Sequence, residues 1–203
     1  MTRIIAEFCQ NHNGNIDLLK KMIEEAAQAG ATHGKMQTIY ADTVAYRPQF
    51  EEGLVQDGIM KSIKRPYTIE CDRLKGLEIS DEETIRFIDI CRDNGLIPMT
   101  TCFVRAHVDR LASLGFRSIK VASYDCASFP LLNELATKFD EIIVSTGATY
   151  DDEVIHAAEL LKGTNFAMLH CVTLYPTPLD KMHLARIEWL QEIAPAVGYS
   201  DHS

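Results

Sequence analysis

The sequence lacks the marks of several protein classes. No run of apolar residues is long enough to span a bilayer, so no membrane partner is expected. Lys and Arg number 20 against 29 Asp and Glu, a formal net charge of -9. A general nucleic-acid binder needs clustered positive charge, so no nucleic-acid partner is expected either, although small anions need only local charge. No CxxC pair occurs among the six cysteines at 9, 71, 91, 102, 126 and 171, and Met1-Thr2-Arg3 leads straight into a strand-like run without a signal peptide. Free thiols in a reducing cytoplasm are the expectation, several of them acting as small buried hydrophobes. There is also no GxGxxG. The turn after the first apolar run reads Gln10-Asn11-His12-Asn13-Gly14, which argues against a doubly wound, dinucleotide-binding sheet.

What is present fits one large α/β domain. The chain has 203 residues, 46% of them hydrophobic and 24% charged, enough to bury a substantial core. Short apolar runs at 3–9, 33–38, 97–102, 118–122, 141–145, 165–171 and 196–199 read as strands. Helical spacing separates them, as in Ile16, Leu19, Ile23 and Ala27 before Gly30, and in the capping box Ser80 to Glu83 that opens a helix through Ile85, Ile88 and Cys91. Further helices are expected at 106–114, 130–139, 150–161 and 181–193. Seven strands with helical crossovers imply a parallel sheet covered by helices. Polar residues end nearly every strand, the pattern of a TIM (β/α)₈-type barrel. Such barrels run to about 250 residues, so the expected barrel is incomplete at 1–203, with seven strands and no eighth. One connection, 39–77, has no clean period and contains Arg47-Pro48, Gly53, Gly58 and the segment from Lys61 to Pro66. Long connections inside compact domains are usually functional, so a lid-like insertion competes with a plain surface excursion carrying a short helix.

The strand ends suggest chemistry. Glu7 lies in Ile4-Ile5-Ala6-Glu7-Phe8-Cys9, where a carboxylate needs a partner: a barrel-interior pair with Lys35 or Lys120, or a ligand. Lys35, Gln37 and Thr38 follow one another on the second strand, Thr101 ends the third, and Lys120 precedes Ser123-Tyr124-Asp125 on the fourth. Ser145-Thr146-Gly147 ends the fifth before a helix, whose N-terminus is a candidate anion site. Two inward lysines with several strand-end hydroxyls favour a doubly anionic ligand such as a phosphorylated carboxylate. The sixth strand runs into His170-Cys171 and Tyr175-Pro176-Thr177-Pro178, the seventh into Ser200-Asp201-His202. His202 at a strand mouth is a candidate metal ligand, with further ligands required from Glu7, Asp125, water or residues outside the chain. His33, His107, His156 and His183 read as surface or packing residues.

Taken in order, Glu7 with Asn11-His12-Asn13-Gly14, Lys35-x-Gln37-Thr38, Lys120-x-x-Ser123, Ser145-Thr146-Gly147, His170-Cys171, Tyr175-Pro176-Thr177-Pro178 and Gly198-Tyr199-Ser200-Asp201-His202 resemble the sialic acid synthase family. That family comprises N-acetylneuraminate synthase and the related nonulosonic acid and spore coat polysaccharide synthases. The resemblance implies a transferase that condenses phosphoenolpyruvate with an N-acetylmannosamine-like sugar and releases phosphate. It implies a divalent metal, Mn or Mg, held partly by His202. Lys35, Gln37, Thr101, Lys120, Ser123, Ser145 and Ser200 would bind substrate, Tyr175 would touch the sugar, and Glu7 and Asp125 would form an acidic pair handling sugar, proton or water. It further implies a homodimer and a C-terminal antifreeze-like domain, which is expected to lie outside this chain together with strand eight. Three positions depart from the family pattern: Asp125 for Glu, Cys102 for the Pro that usually follows Thr101, and Thr173 where acetylneuraminate enzymes often carry Asn. Two other readings fit the same residues: a catalytically impaired barrel that binds phosphoenolpyruvate or sugar, and a related phosphoenolpyruvate-condensing barrel acting on a phosphorylated sugar. The latter requires extra basic residues for a second phosphate, and the sequence shows no obvious cluster beyond Lys61, Lys64 and Arg65 in the long connection; it also explains Tyr175-Pro176-Thr177-Pro178 and Ser200-Asp201-His202 less well.

Overall fold

The computed structural model describes residues 2–203. Seven strands form one parallel sheet in the order β1 (Ile5–Cys9), β2 (His33–Gln37), β5 (Ile97–Thr101), β6 (Ser118–Val121), β7 (Glu141–Ser145), β8 (Phe166–Cys171) and β9 (Val197–Ser200). Each strand pairs with its predecessor in the chain, apart from the excursion between β2 and β5. Curled around one interior, this is the architecture of a TIM-type barrel. Among the described residues β1 and β9 are the two edges and do not pair.

Alternation along the strands separates two cores. In β7, Ile142 and Val144 join the large core between sheet and helices. Ile143 faces the other way, into a small interior cluster with Met99 and Ala167, flanked by Ile5 and Leu169. Period-two alternation then puts Glu141 at one end of the interior and Ser145 at the other. β6 repeats the pattern, with Ile119 and Val121 in the outer core and Ser118 and Lys120 alternating with them. The result is an apolar middle with a polar layer at each end.

The outer helices are α1 (Ile16–Gln28), α3 (Asp81–Asp93), α4 (Val108–Leu114), α5 (Phe129–Ala136), α6 (Asp151–Leu160) and α7 (Arg186–Gln191). Asn15 caps α1 by accepting from the amides of Asp17 and Leu18. The capping box of Ser80 and Glu83 forms as its spacing predicts. The helix expected at 181–193 is shorter than its pattern. A 3₁₀ turn at Leu179–Lys181 precedes it, and His183 adopts φ +48°, which interrupts a helical path before Arg186.

The 39–77 connection is built rather than loose. It contains 3₁₀ turns at Ala41–Thr43 and Pro48–Phe50, an antiparallel hairpin of β3 (Leu54–Gln56) and β4 (Ile59–Ser62), and helix α2 (Tyr67–Lys75).

Candidate active site at the C-terminal strand ends

The first group of predicted residues meets inside the barrel mouth. Lys35 donates to Glu7, so the interior ion pair weighed from the sequence forms. The second Glu7 oxygen accepts from the Cys9 amide at 2.9 Å. It thereby holds a bulge between Glu7 and Cys9, where Cys9 takes the left-handed φ of +53°. Lys120 is 7% exposed and finds no carboxylate. Its ammonium donates to the Ser145 hydroxyl and, at 2.8 Å, to the Val121 carbonyl. Burial, with the neighbouring Lys35 charge second, pulls its pKa down to about 7. A buried ammonium bonded only to neutral oxygens is a site short of one anion.

Hydroxyls and one thiol surround this pair. Ser123 Oγ lies 3.0 Å from Cys171 Sγ and accepts from the Gly147 amide at 3.2 Å. Gly147 has to be glycine, because a Cβ there would sit 2.7 Å from Cys171 Sγ and 2.9 Å from the Cys171 carbonyl oxygen. Thr101 is buried at the end of β5. The expected anion site at a helix N-terminus after Ser145 is not formed. α6 starts only at Asp151, its first turn carries Asp151, Asp152 and Glu153, and Glu153 takes the Tyr150 amide. Those carboxylates occupy the positive end of the helix dipole themselves.

The second group gathers around His202. Its Nδ1 lies 2.7 Å from the Val172 carbonyl oxygen and donates to it. That fixes the tautomer and leaves Nε2 with a lone pair, 3.3 Å from the Tyr175 hydroxyl and 3.4 Å from Ser200 Oγ. The Tyr175 ring stacks on the imidazole at 4.2 Å. The Thr177 amide donates to the His202 carbonyl at 2.7 Å, stapling the loop after β8 to the end of β9. An imidazole oriented through one nitrogen, with the other met only by two long hydroxyl contacts, suits a metal ligand. Among the described residues no group of three or more His, Cys, Asp or Glu converges, so His202 supplies a single donor. His170, by contrast, is buried and bonds the Met182 carbonyl at 2.7 Å, a packing role.

Asp125 stands apart from both groups. It ends the 3₁₀ turn Ser123–Asp125 and lines a cavity of about 800 Å³ beneath the 39–77 excursion. Its Oδ2 is buried without a hydrogen-bond partner, and burial raises its pKa to about 6. The same cavity is walled by Arg47, Phe50, Arg65, Tyr67 and Tyr124. Sequence reasoning alone does not place Arg47 or Phe50 there, because the excursion has no periodicity that aims a side chain; the Arg47-Pro48 pair is the only local signal. Gln37 lines a separate crevice with Gln10, Thr38 and Leu74 rather than the lysine pair. A second cavity of about 930 Å³ opens the barrel interior between β1 and β9, with Glu7, Lys35 and Lys120 in its wall.

A curled parallel sheet with its polar strand ends gathered at one mouth defines an α/β barrel protein of the kind that carries enzymatic sites. The chain belongs to the NeuB family, whose model matches residues 22–203. It is 31% identical over 208 residues to the N,N'-diacetyllegionaminic acid synthase of Legionella pneumophila, covering 98% of this chain and 57% of that protein. It is also 31% identical to the spore coat polysaccharide biosynthesis protein SpsE of Bacillus subtilis, covering 98% of this chain and 53% of that one. Among solved structures, the N-acetylneuraminic acid synthetase of Leptospira borgpetersenii superposes with a TM-score of 0.81 at 27% identity, over 98% of this chain and 65% of the other. The chain thus spans just over half the length of these curated relatives.

Proposed function

We propose that this chain is the barrel of a synthase that condenses phosphoenolpyruvate with an N-acetylated, mannosamine-like hexose to give a nonulosonic acid and inorganic phosphate. The observation that carries the reading is Lys120: a buried ammonium, beside a second lysine and the Ser145 hydroxyl, with no carboxylate of its own. A phosphorylated carboxylate matches that deficit. Family membership supports the reaction class, since the relatives' own names are those of sialic and nonulosonic acid synthases.

In this mechanism Lys120, Lys35, Thr101, Ser123 and Ser145 hold the carboxylate and phosphate and Ser200 completes the substrate contacts, while Gln37, in its separate crevice, takes no part. Preorganised charge of this kind is commonly the largest catalytic contribution. C3 of phosphoenolpyruvate forms the new bond to the aldehyde carbon of the sugar. Water adds at C2, and the resulting tetrahedral centre expels phosphate to leave a 2-keto acid, so one water is consumed per phosphate released. Asp125, with a pKa near 6, can give and take the protons these steps move, and Glu7 lies at the same mouth as its acidic partner. Tyr175 presents its ring and hydroxyl to the sugar. A divalent cation, Mn or Mg, held through His202 Nε2 would supply Lewis-acid polarisation of the aldehyde. We place the enzyme in the cytoplasm and as a homodimer.

The test is phosphate release from phosphoenolpyruvate by the complete protein, with Mn or Mg and a panel of N-acetylated hexoses. Release that depends on both sugar and metal supports the synthase. Calorimetric binding of phosphoenolpyruvate with no release from any sugar favours a binding barrel instead.

A further inference from the structure

The Ser123 hydroxyl is set by its neighbours before any ligand arrives. A serine hydroxyl has one hydrogen to donate and two lone pairs to accept with. At Ser123 one lone pair receives the Gly147 amide at 3.2 Å. The Cys171 thiol lies 3.0 Å from the same oxygen, and two arrangements are open to that contact. If the hydroxyl donates to sulfur, its hydrogen is spent on a weak acceptor. The thiol hydrogen is then stranded, because Cys171 is 4% exposed and its Sγ has no other hydrogen-bond partner among the described residues. If the thiol donates to oxygen instead, both lone pairs are filled and the hydroxyl hydrogen is left over for a ligand. Only the second arrangement satisfies every donor once an anion is bound.

The frame around this contact is braced. Thr149 Oγ1 lies 3.2 Å from the Ser123 carbonyl oxygen and 3.1 Å from that of Gly147, tying the loop after β6 to the loop after β7. Gly147 bears no Cβ, which leaves the space that Cys171 Sγ fills. Cys171 itself ends β8 and pairs with Ser200 on β9. Three neighbouring strand ends thus converge on one oxygen, at the mouth where Lys120 lacks a carboxylate.

We propose that Cys171 is a positioning residue: its S–H, together with the Gly147 N–H, donates to Ser123 Oγ and so turns the Ser123 hydroxyl toward the anionic substrate as a donor. This rests on the synthase reading for the identity of that anion, phosphoenolpyruvate. The thiol touches no reacting atom. It acts through Ser123, by removing the alternative in which the hydroxyl points at sulfur, so that the donor is oriented in advance of binding.

The test is a double-mutant cycle on phosphoenolpyruvate affinity, measured by calorimetry on the complete protein. Cys171→Ala should weaken binding by about fivefold, the worth of one net hydrogen bond. Cys171→Ser, which keeps a donor at that position, should recover most of the loss. In a Ser123→Ala background, Cys171→Ala should cost nothing further. A loss that persists undiminished in that background, or that Cys171→Ser shares in full, overturns the proposal and makes Cys171 a packing residue. Infrared spectroscopy of the unmutated protein gives a second reading that does not need the alanine variant to fold. The S–H stretching band assigned to Cys171, by its absence from Cys171→Ser, should lie at the lowered frequency of a donating thiol. A band at the frequency of a free thiol overturns the proposal. Unmutated protein that binds no phosphoenolpyruvate sinks the synthase reading, while the infrared band still decides whether the thiol donates to Ser123. Binding with no coupling between positions 171 and 123 sinks the role of the thiol alone.

Discussion

At the N-terminal ends of the strands, Glu141 accepts from His33 at 3.2 Å, from Ser118 at 2.5 Å and from Arg3. At the C-terminal ends, Lys120 donates only to a hydroxyl and a backbone carbonyl. Both groups are nearly buried, and both flank the same apolar interior cluster of Met99, Ile143 and Ala167. The pKa values move accordingly. Hydrogen bonding from His33, aided by Ser118 and Arg3 and opposed by burial, takes Glu141 down to about 2. Burial and Lys35 take Lys120 down to about 7. One charge is fully answered by the protein and the other is not. Buried charge of equal depth is therefore satisfied within the fold at one end and, under the proposed function, left for a ligand at the other, and the distinction lies in the partner count.

The sharpest test of that contrast is Lys120→Met. Phosphate release from phosphoenolpyruvate should fall by roughly a hundred- to a thousandfold, the usual loss for one preorganised donor. The thermal midpoint should hold or rise, because a desolvated cation without a counter-ion has been removed. A drop in stability would put Lys120 on the same footing as Glu141 and break the comparison. Next in size, Glu141→Gln should destabilise the fold by about 3–5 kcal/mol in urea titration, since it strips the charge from a buried pair, while the folded variant keeps its affinity for phosphoenolpyruvate. Last comes pH. Anion binding requires protonated Lys120, so phosphoenolpyruvate affinity should weaken by about tenfold per unit as pH climbs above 7, with proton uptake on binding detectable in buffers of different ionisation enthalpy. Glu141 acts in the opposite sense. Its folded pKa is depressed, so its stabilisation is full above about 4.5 and is lost as pH falls toward 2. Denaturation midpoints across that acid window, with Glu141→Gln as the flat control, separate the two ends.

Much of this was legible in the sequence because parallel strands buried on both faces read as apolar runs with polar ends. The seven runs, the α3 capping box and the inward setting of Glu7, Lys35, Lys120 and Ser145 follow from period and chemistry alone. The excursion was not legible. Its β3 and β4 are three and four residues long and expose Leu54, Val55, Ile59 and Met60, so no buried face imprints a period on them. Pairings across the chain were equally hidden. Nothing local to Arg47 signals Phe50, Tyr124 or Asp125, and nothing local to Ser145 signals that the following helix has already filled its own N-terminus with Asp151, Asp152 and Glu153.

The staple between the loop after β8 and the end of β9 has a consequence for how this protein can diverge. Val172, Tyr175 and Thr177 all bind His202, through a carbonyl, a ring and an amide. The loop after β8 and the aim of the imidazole are therefore mechanically one part. If the loop contacts the sugar as proposed above, a substitution that accommodates a different sugar also turns the histidine, and drift in substrate choice is expected to proceed by paired changes, with single-step intermediates that lose rate before they gain a new preference.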